Sequence, residues 1–299
     1  MTATNFADQD GHIWMNGQMV PWREANVHVL SHGLHYASSV FEGERTYGGE
    51  VFKLTEHSQR LLDSAALLGM SVPYTLAEID AATRHTVSES GLKDAYVRPV
   101  IWRGSEMMGI SAQANKINLA IACWAWPSYF SPEERMRGIK LKTSDWRRPD
   151  PQSAPFKAKA AGLYMICTLS KHAAEAEGFQ DALMLDYRGL VAETTGTNIF
   201  LVIDGKLVTP TPDCFLDGIT RRTVIDLAKR RDLEVIEQPV PVAMLDQATE
   251  VLVTGTAAEV TPVSHIDGRA YTPGRITETL MNDYMDLVNR RGPFAAAAE

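Results

Sequence analysis

The sequence has no apolar run long enough to span a bilayer, and its first residues, MTATNFADQDGH, lack an apolar signal-peptide core, so a cytoplasmic location is expected. Cysteine is scarce. Cys123, Cys167 and Cys214 stand far apart with no CxxC or Cys/His ligand spacing, which argues against a disulfide framework and leaves reduced thiols. An excess of positive charge is also missing: the net charge of −8 argues against a general nucleic-acid binder, although it permits a local cationic pocket. No GxGxxG, P-loop or GxSxG pattern occurs, so nucleotide binding and nucleophile-elbow chemistry have no support. His32, His35 and His57 match no standard metal site with their neighbouring carboxylates and read as structural; no metal is expected.

What is present is an ordinary globular composition over 299 residues, enough for about two domains. HIWMNGQMVPW reads as a hairpin turning at Asn-Gly, and SVFEGERTYGGEVFKL as a second turning at Gly48-Gly49. HSQRLLDSAALLGM and LAEIDAATRHTVSESGL carry apolar residues at helical spacing and end on glycine. AYVRPVIWRG and INLAIACWAW are β-rich. The polar, proline-containing PSYFSPEERM reads as a linker. Beyond it come a strand in IKLKTSDW, a helix in AGLYMICTLSKHAAEAEGF, a meander turning at Asp204-Gly205, a helix in LDGITRRTVIDLAKRRDL, and the strand VLVTG with TAAEVTPVSHIDG to complete a second domain. The tail GPFAAAAE is low in complexity and expected to be disordered or incidental.

Four features could carry chemistry. PFKAKAAGLYM sets Lys157 and Lys159 two apart, which puts both on one face if the chain is extended. A partly desolvated lysine beside a second cation becomes a nucleophile, but two solvated lysines on a surface are the commoner case, and the stretch alone favours the solvated pair. GIT at 218–220 opens a helix and TGTAAE at 254–259 follows a strand, and both turns suit a phosphate, although ordinary caps look the same. Arg60 is a cation available to such a group. Glu193, in VAETTGTN, is either exposed on a hairpin strand or buried against a cationic partner such as a protonated pyridine nitrogen.

Lysine, phosphate turns and carboxylate together describe a pyridoxal 5′-phosphate (PLP) site. From about residue 12 to 265 the sequence resembles the fold-type IV (class IV) aminotransferases, most closely the branched-chain amino-acid aminotransferases. The matching stretches are HGLHYASSVFEGERTY, EHSQRL, AYVRP, KAKAAGLY, VAETTGTNIF, LDGITRR and TGTAAEVTPV. The resemblance implies an α/β (α+β) fold in two domains, like that of D-amino-acid aminotransferase, with PLP at the domain interface. The expected division is a smaller N-terminal α+β domain over 1–128, a linker over 129–137, and a larger C-terminal domain over 138–299 carrying the Schiff-base lysine.

Residue by residue, the resemblance implies that Lys159 forms the Schiff base with PLP, Glu193 pairs with the pyridine nitrogen, and Tyr164 contacts the phenolic oxygen. Arg60, Ile219, Thr220, Thr256 and Ala257 hold the phosphate side of the cofactor. Phe41, Gly43, Tyr96, Arg98, Tyr129, Thr256, Ala257 and Ala258 surround the substrate, and Tyr36 is lent by the second subunit of a homodimer or higher oligomer. Lys157 is expected to stay solvated. The implied reaction is ping-pong transamination of branched-chain L-amino acids with 2-oxoglutarate. The Tyr–Arg pair in AYVRP favours L-substrates over D-amino-acid or (R)-amine transamination. An aminodeoxychorismate lyase on the same fold, or a non-catalytic binder of small acids, are the alternatives. Glu44, where many members carry an apolar residue, and the aromatic run WAWPSYF are departures that bear on specificity if they face the pocket.

Overall fold

The structure, a computed structural model, describes residues 5–126 and 136–294. Tyr129 and the expected linker up to residue 135 lie outside the described residues, as does the tail from residue 295. The described chain forms two compact units, one of residues 5–126 with Ala158–Gly162, the other of residues 136–157 with 163–294. Among the described residues no helix is long and apolar enough to cross a membrane.

The first unit is an antiparallel sheet under two helices. Its strands are β1 (His12–Met15), β2 (Gln18–Pro21), β3 (Ser39–Phe41), β4 (Glu44–Tyr47), β5 (Glu50–Val51), β6 (Ala95–Arg103) and β7 (Ile117–Ala125), in the order β2-β1-β7-β6-β4-β5 with β3 also on β6. The first hairpin turns at Asn16-Gly17, both at positive φ, which is the twist an Asn-Gly turn supplies. A short helix α1 (His32–Tyr36), not expected from sequence, precedes β3. Helix α2 (Leu54–Leu67) begins three residues before the predicted stretch, and α3 (Leu76–Ser90) ends at Gly91 in the left-handed region, as predicted. A Thr75–Glu78 capping box fixes the start of α3.

Val40, Leu61, Ile79, Val97, Ile101, Leu119 and Ile121 are fully buried and form the core of this unit. The register pairs Phe41 with Val100 and Glu44 with Val97 without a bulge. Side chains alternate, so Val40, Glu42, Glu44, Val97 and Ile101 share the face that α2 and α3 cover, while Phe41, Gly43, Arg45, Tyr96 and Arg98 share the other.

The second unit is a mixed sheet. Its strands β8 (Ile139–Arg148), β9 (Asp181–Asp186), β10 (Val191–Thr194), β11 (Asn198–Ile203), β12 (Lys206–Pro210), β13 (Val235–Gln238), β14 (Glu250–Gly255) and β15 (Glu259–Ile266) run in the order β10-β9-β8-β15-β14-β11-β12-β13. β8 and β9 are parallel and joined through α4 (Met165–Ala176), and β12 and β13 are parallel and joined through α5 (Ile219–Arg230), as parallel neighbours require a crossover. Leu141, Leu183, Ile199, Leu201, Val251, Val253 and Val263 form its main core. A last helix, α6 (Arg275–Val288), was not predicted; Leu280, Met281, Tyr284, Leu287 and Val288 bury its apolar stripe, and Glu250 accepts from the Thr277 N–H at 2.8 Å at its N-terminus.

The segment around the two lysines departs from expectation. Residues 156–157 lie in a turn rather than a strand, so Lys157 and Lys159 do not share the face that extended backbone would give them. Lys159, expected in the larger C-terminal domain, groups with the first unit because its backbone is bonded to Phe41 and Ser64.

Leu61 is fully buried on α2, the helix that carries His57, Arg60 and Ser64. Leu61→Ala is expected to cost about 2–5 kcal/mol in urea unfolding of the protein without added ligand. A loss below about 1 kcal/mol would show that α2 is not anchored through this residue.

Candidate functional site

Lys159 is fixed through its backbone. Its N–H donates to Ser64 Oγ at 3.0 Å, its carbonyl accepts from the Phe41 N–H at 3.1 Å, and the following Ala160 bridges to Val40. Its Nζ lies 5.0 Å from the Phe41 ring centroid, and the Arg98 guanidinium carbon lies 4.9 Å from the same centroid. Arg98 also reaches Tyr96 Oη at 3.5 Å. A side chain at Gly43 would place Cβ 2.0 Å from that hydroxyl, so glycine is what lets the Tyr96 phenol cross the strand. Phe41, Gly43, Tyr96, Arg98 and Lys159 therefore come together on the first unit. Tyr96 also packs against the rings of Trp124 and Trp126, each 5.2 Å away. Lys157 is exposed, with its Nζ over the Phe156 ring.

On the helix-covered face of the same strands lies a cluster of charge. Glu42 is completely buried and accepts from Arg60 Nε at 2.6 Å and Nη2 at 2.8 Å, pairs with His57 Nδ1 at 2.7 Å, and accepts from the Gly43 N–H at 3.2 Å. Burial alone would push its carboxyl up, but the Arg60 charge, with the His57 and Arg60 hydrogen bonds, holds it far below the usual carboxylate range. An ionised carboxylate only accepts, so the Nδ1 of His57 carries the proton. Burial chiefly, with the nearby Arg60 and Lys159 charges, pushes the His57 value down.

Glu44, two residues along on the same face, is also completely buried, and its oxygens find no hydrogen-bond partner among the described residues. Burial, with Glu42 and Asp80 nearby, pushes its carboxyl well above the ordinary range. Glu44 thus faces the helices and not the Phe41–Arg98 side. Glu42, His57 and Ser64 were not identified from sequence as functional. The available signal was FEGE itself, two glutamates at strand spacing directly after the apolar Val40 and Phe41.

In the second unit Glu193, on β10, pairs across the hairpin with Asn198. Its Oε1 lies 3.2 Å from Arg148 Nε, with both side chains nearly buried, and Asn198 Nδ2 donates to Oε2 at 3.4 Å. The structure resolves the choice left open at Glu193 in favour of burial beside a cation. Arg148, at the end of β8, also donates to the Leu163 carbonyl and to Cys167 Sγ. Burial pushes the Cys167 thiol up to about 11, leaving it protonated and unreactive. Tyr164, half-buried, stands at the N-cap of α4, beside Arg148.

Asn198 turns its Oδ1 to the Gly218 N–H at 3.1 Å, and a Cβ at Gly218 would sit 2.2 Å from that oxygen. Glycine is therefore required at the N-cap of α5. No side chain caps this helix, so the N–H groups of Ile219 and Thr220, both buried, open its positive end to an anion. Thr256, Ala257 and Ala258 form the turn between β14 and β15, at the same end of the sheet, since Asn198 pairs with Thr254 in the adjoining strand. These residues fit a phosphorylated ring: an anion-accepting turn and a buried carboxylate backed by arginine are what its two ends demand.

Tyr36 lies apart on α1, about half exposed, its hydroxyl 3.4 Å from the Met108 carbonyl. His32 is satisfied by Ser38 and the Gly109 carbonyl.

Residues 39–266 match the family model described as Amino-transferase class IV. The chain is 42% identical over 292 residues to the branched-chain-amino-acid aminotransferase of Pseudomonas aeruginosa, covering 95% of each chain. A solved structure of the T.th. branched-chain amino acid aminotransferase with pyridoxamine 5′-phosphate superposes with a TM-score of 0.94 at 39% identity, covering 97% of each chain. Another structure of that enzyme, complexed with N-(5′-phosphopyridoxyl)-L-glutamate, gives a TM-score of 0.92 at 38% identity over the same share.

Glu44 supplies a test of the buried charge. Its raised value means that folding takes up a proton, so its contribution to stability is present below the ordinary carboxylate range and is lost as pH rises through the folded value. Glu44→Gln should therefore gain stability relative to the parent as pH is raised from about 5 to about 8, read by urea unfolding. Parallel pH profiles for the two proteins would contradict this.

Proposed function

We propose the activity from one premise: this chain belongs to the class IV aminotransferases. It is a branched-chain amino-acid aminotransferase that uses PLP, taking the amino group of leucine, isoleucine or valine and passing it to 2-oxoglutarate by a ping-pong route. The observation that carries this reading is the convergence of Lys159 and Arg98 on the Phe41 ring. An amine, a guanidinium and an apolar platform are what an amino acid with a hydrocarbon side chain needs. The glutamate adduct of the T.th. relative supports glutamate as the second amino acid.

When bound, PLP supplies an electrophilic carbon and a protonated ring that draws electrons from the substrate's Cα. The protein's residues do the rest. Lys159 Nζ would hold the cofactor and, when free, would be the base that takes the Cα proton. Glu193, with Oε1 beside Arg148, would keep a proton on the pyridine nitrogen, and Tyr164 would donate to the phenolic oxygen. Arg60, the N–H groups of Ile219 and Thr220, and Thr256 and Ala257 are the residues that would hold the phosphate side. Phe41, Gly43, Tyr96, Arg98, Tyr129, Thr256, Ala257 and Ala258 bound the substrate, with Tyr36 contributed by a second copy of the chain in a homodimer.

The test is the half-reaction. L-Leucine added to the PLP-loaded protein should convert the cofactor's absorption to that of the amine form and release the branched 2-oxo acid, and L-glutamate should do the same. Conversion by D-leucine instead would assign a D-amino-acid transaminase, and no conversion by glutamate would favour the lyase. Glu193→Gln is expected to slow the L-leucine half-reaction by about a hundredfold or more, measured by stopped-flow absorbance. A change of less than about threefold would remove Glu193 from the ring nitrogen.

A further inference from the structure

We propose that Glu42 is a positioning residue for phosphate recognition: its buried carboxylate holds one edge of the Arg60 guanidinium and thereby sets how Arg60 meets the cofactor's phosphate. The inference rests on the proposed use of PLP. Glu42 takes Arg60 through Nε at 2.6 Å and Nη2 at 2.8 Å, a two-point contact that fixes the guanidinium plane as well as its place. This fork directs the remaining N–H groups of Arg60 away from Glu42.

The carboxylate is itself held in place. His57, nearly fully buried on α2, bonds Oε2 at 2.7 Å, and the Gly43 N–H bonds the same oxygen at 3.2 Å. Of the other acids near this cluster, Asp80 is taken by Thr55 and Arg84, and the Glu44 oxygens find no hydrogen-bond partner among the described residues. A mostly buried guanidinium that loses its counter-charge is expected to leave this position, because an uncompensated buried charge is costly. Glu42 does not face the substrate side, since it alternates with Phe41 and Gly43, so its effect passes through Arg60.

The experiment titrates the protein freed of cofactor with PLP, with pyridoxal, which lacks the phosphate, and with inorganic phosphate as a competitor of PLP. Parent, Glu42→Gln, Glu42→Asp, Arg60→Gln and the Glu42→Gln/Arg60→Gln double variant are compared. Loss of the charge-assisted pair should weaken PLP binding by Glu42→Gln about tenfold to a hundredfold, and weaken phosphate competition with it, while pyridoxal affinity changes by less than about twofold. In the Arg60→Gln background the same substitution should change PLP affinity by less than about twofold. Glu42→Asp, which keeps the charge on a shorter arm, should fall between parent and Glu42→Gln, and it carries the test if Glu42→Gln does not fold. Equal weakening of PLP and pyridoxal, an undiminished penalty without Arg60, or unchanged PLP affinity each overturn the inference. A parent protein that binds no PLP overturns the proposed function and this inference together. A parent that binds PLP no better than Glu42→Gln overturns this inference alone.

Discussion

The backbone of Lys159 is tied down on both sides, by the Phe41 N–H on its carbonyl and by Ser64 Oγ on its N–H, before its side chain takes part in any chemistry. A lysine side chain has four rotatable bonds, and an amine that must meet a reacting carbon repeatedly gains most from a backbone that does not move. The Ala160–Val40 bridge extends the clamp by one residue and brings Ala158–Gly162 into the first unit. The same three residues, Val40 to Glu42, then present Phe41 to the amine and Glu42 to Arg60. The position of the lysine, the apolar platform and the buried arginine are consequences of one short stretch of strand.

Strand alternation separates two tasks that would interfere on one surface. Glu42 and Glu44 carry buried carboxyls toward the helices, and Phe41 and Gly43 present a ring and a gap on the other side. A buried carboxylate persists only where a cation and hydrogen bonds replace water, and Arg60 and His57 do this for Glu42. The second unit repeats the arrangement with different parts. Arg148 backs Glu193, Asn198 ties that carboxylate to the start of α5, and Gly218 leaves the helix end clear. Each unit thus sets an arginine–glutamate pair beside the residues proposed for its share of the chemistry.

Much of this was legible in the sequence, for physical reasons that differ from place to place. The Asn16-Gly17 turn, the glycine ending α3 and the apolar spacing in α2 are local signals that tertiary context did not override. The family resemblance carried Lys159, Glu193 and Arg98, whose roles no local pattern specifies. The shared face for Lys157 and Lys159 was conditional on extended backbone, and a turn at 156–157 removes that condition. Helix α6 was overlooked although Leu280, Met281, Tyr284, Leu287 and Val288 repeat at helical spacing; the missing signal was its cap, which comes from Glu250, 25 residues upstream of the helix. Glu42 was invisible for a related reason. Its importance comes from burial against His57 and Arg60, at separations of 15 and 18 residues, and no window of sequence shows that. Glu44 raised a question of specificity that its orientation answers: it faces the helices.

Lys159, and not its neighbour Lys157, is the amine proposed to be chemically engaged. The most direct measurement is borohydride reduction of the PLP-loaded protein followed by peptide mass mapping. A reduced phosphopyridoxyl group is expected on Lys159 alone. Label on Lys157, or no labelled lysine after incubation with PLP, would contradict it.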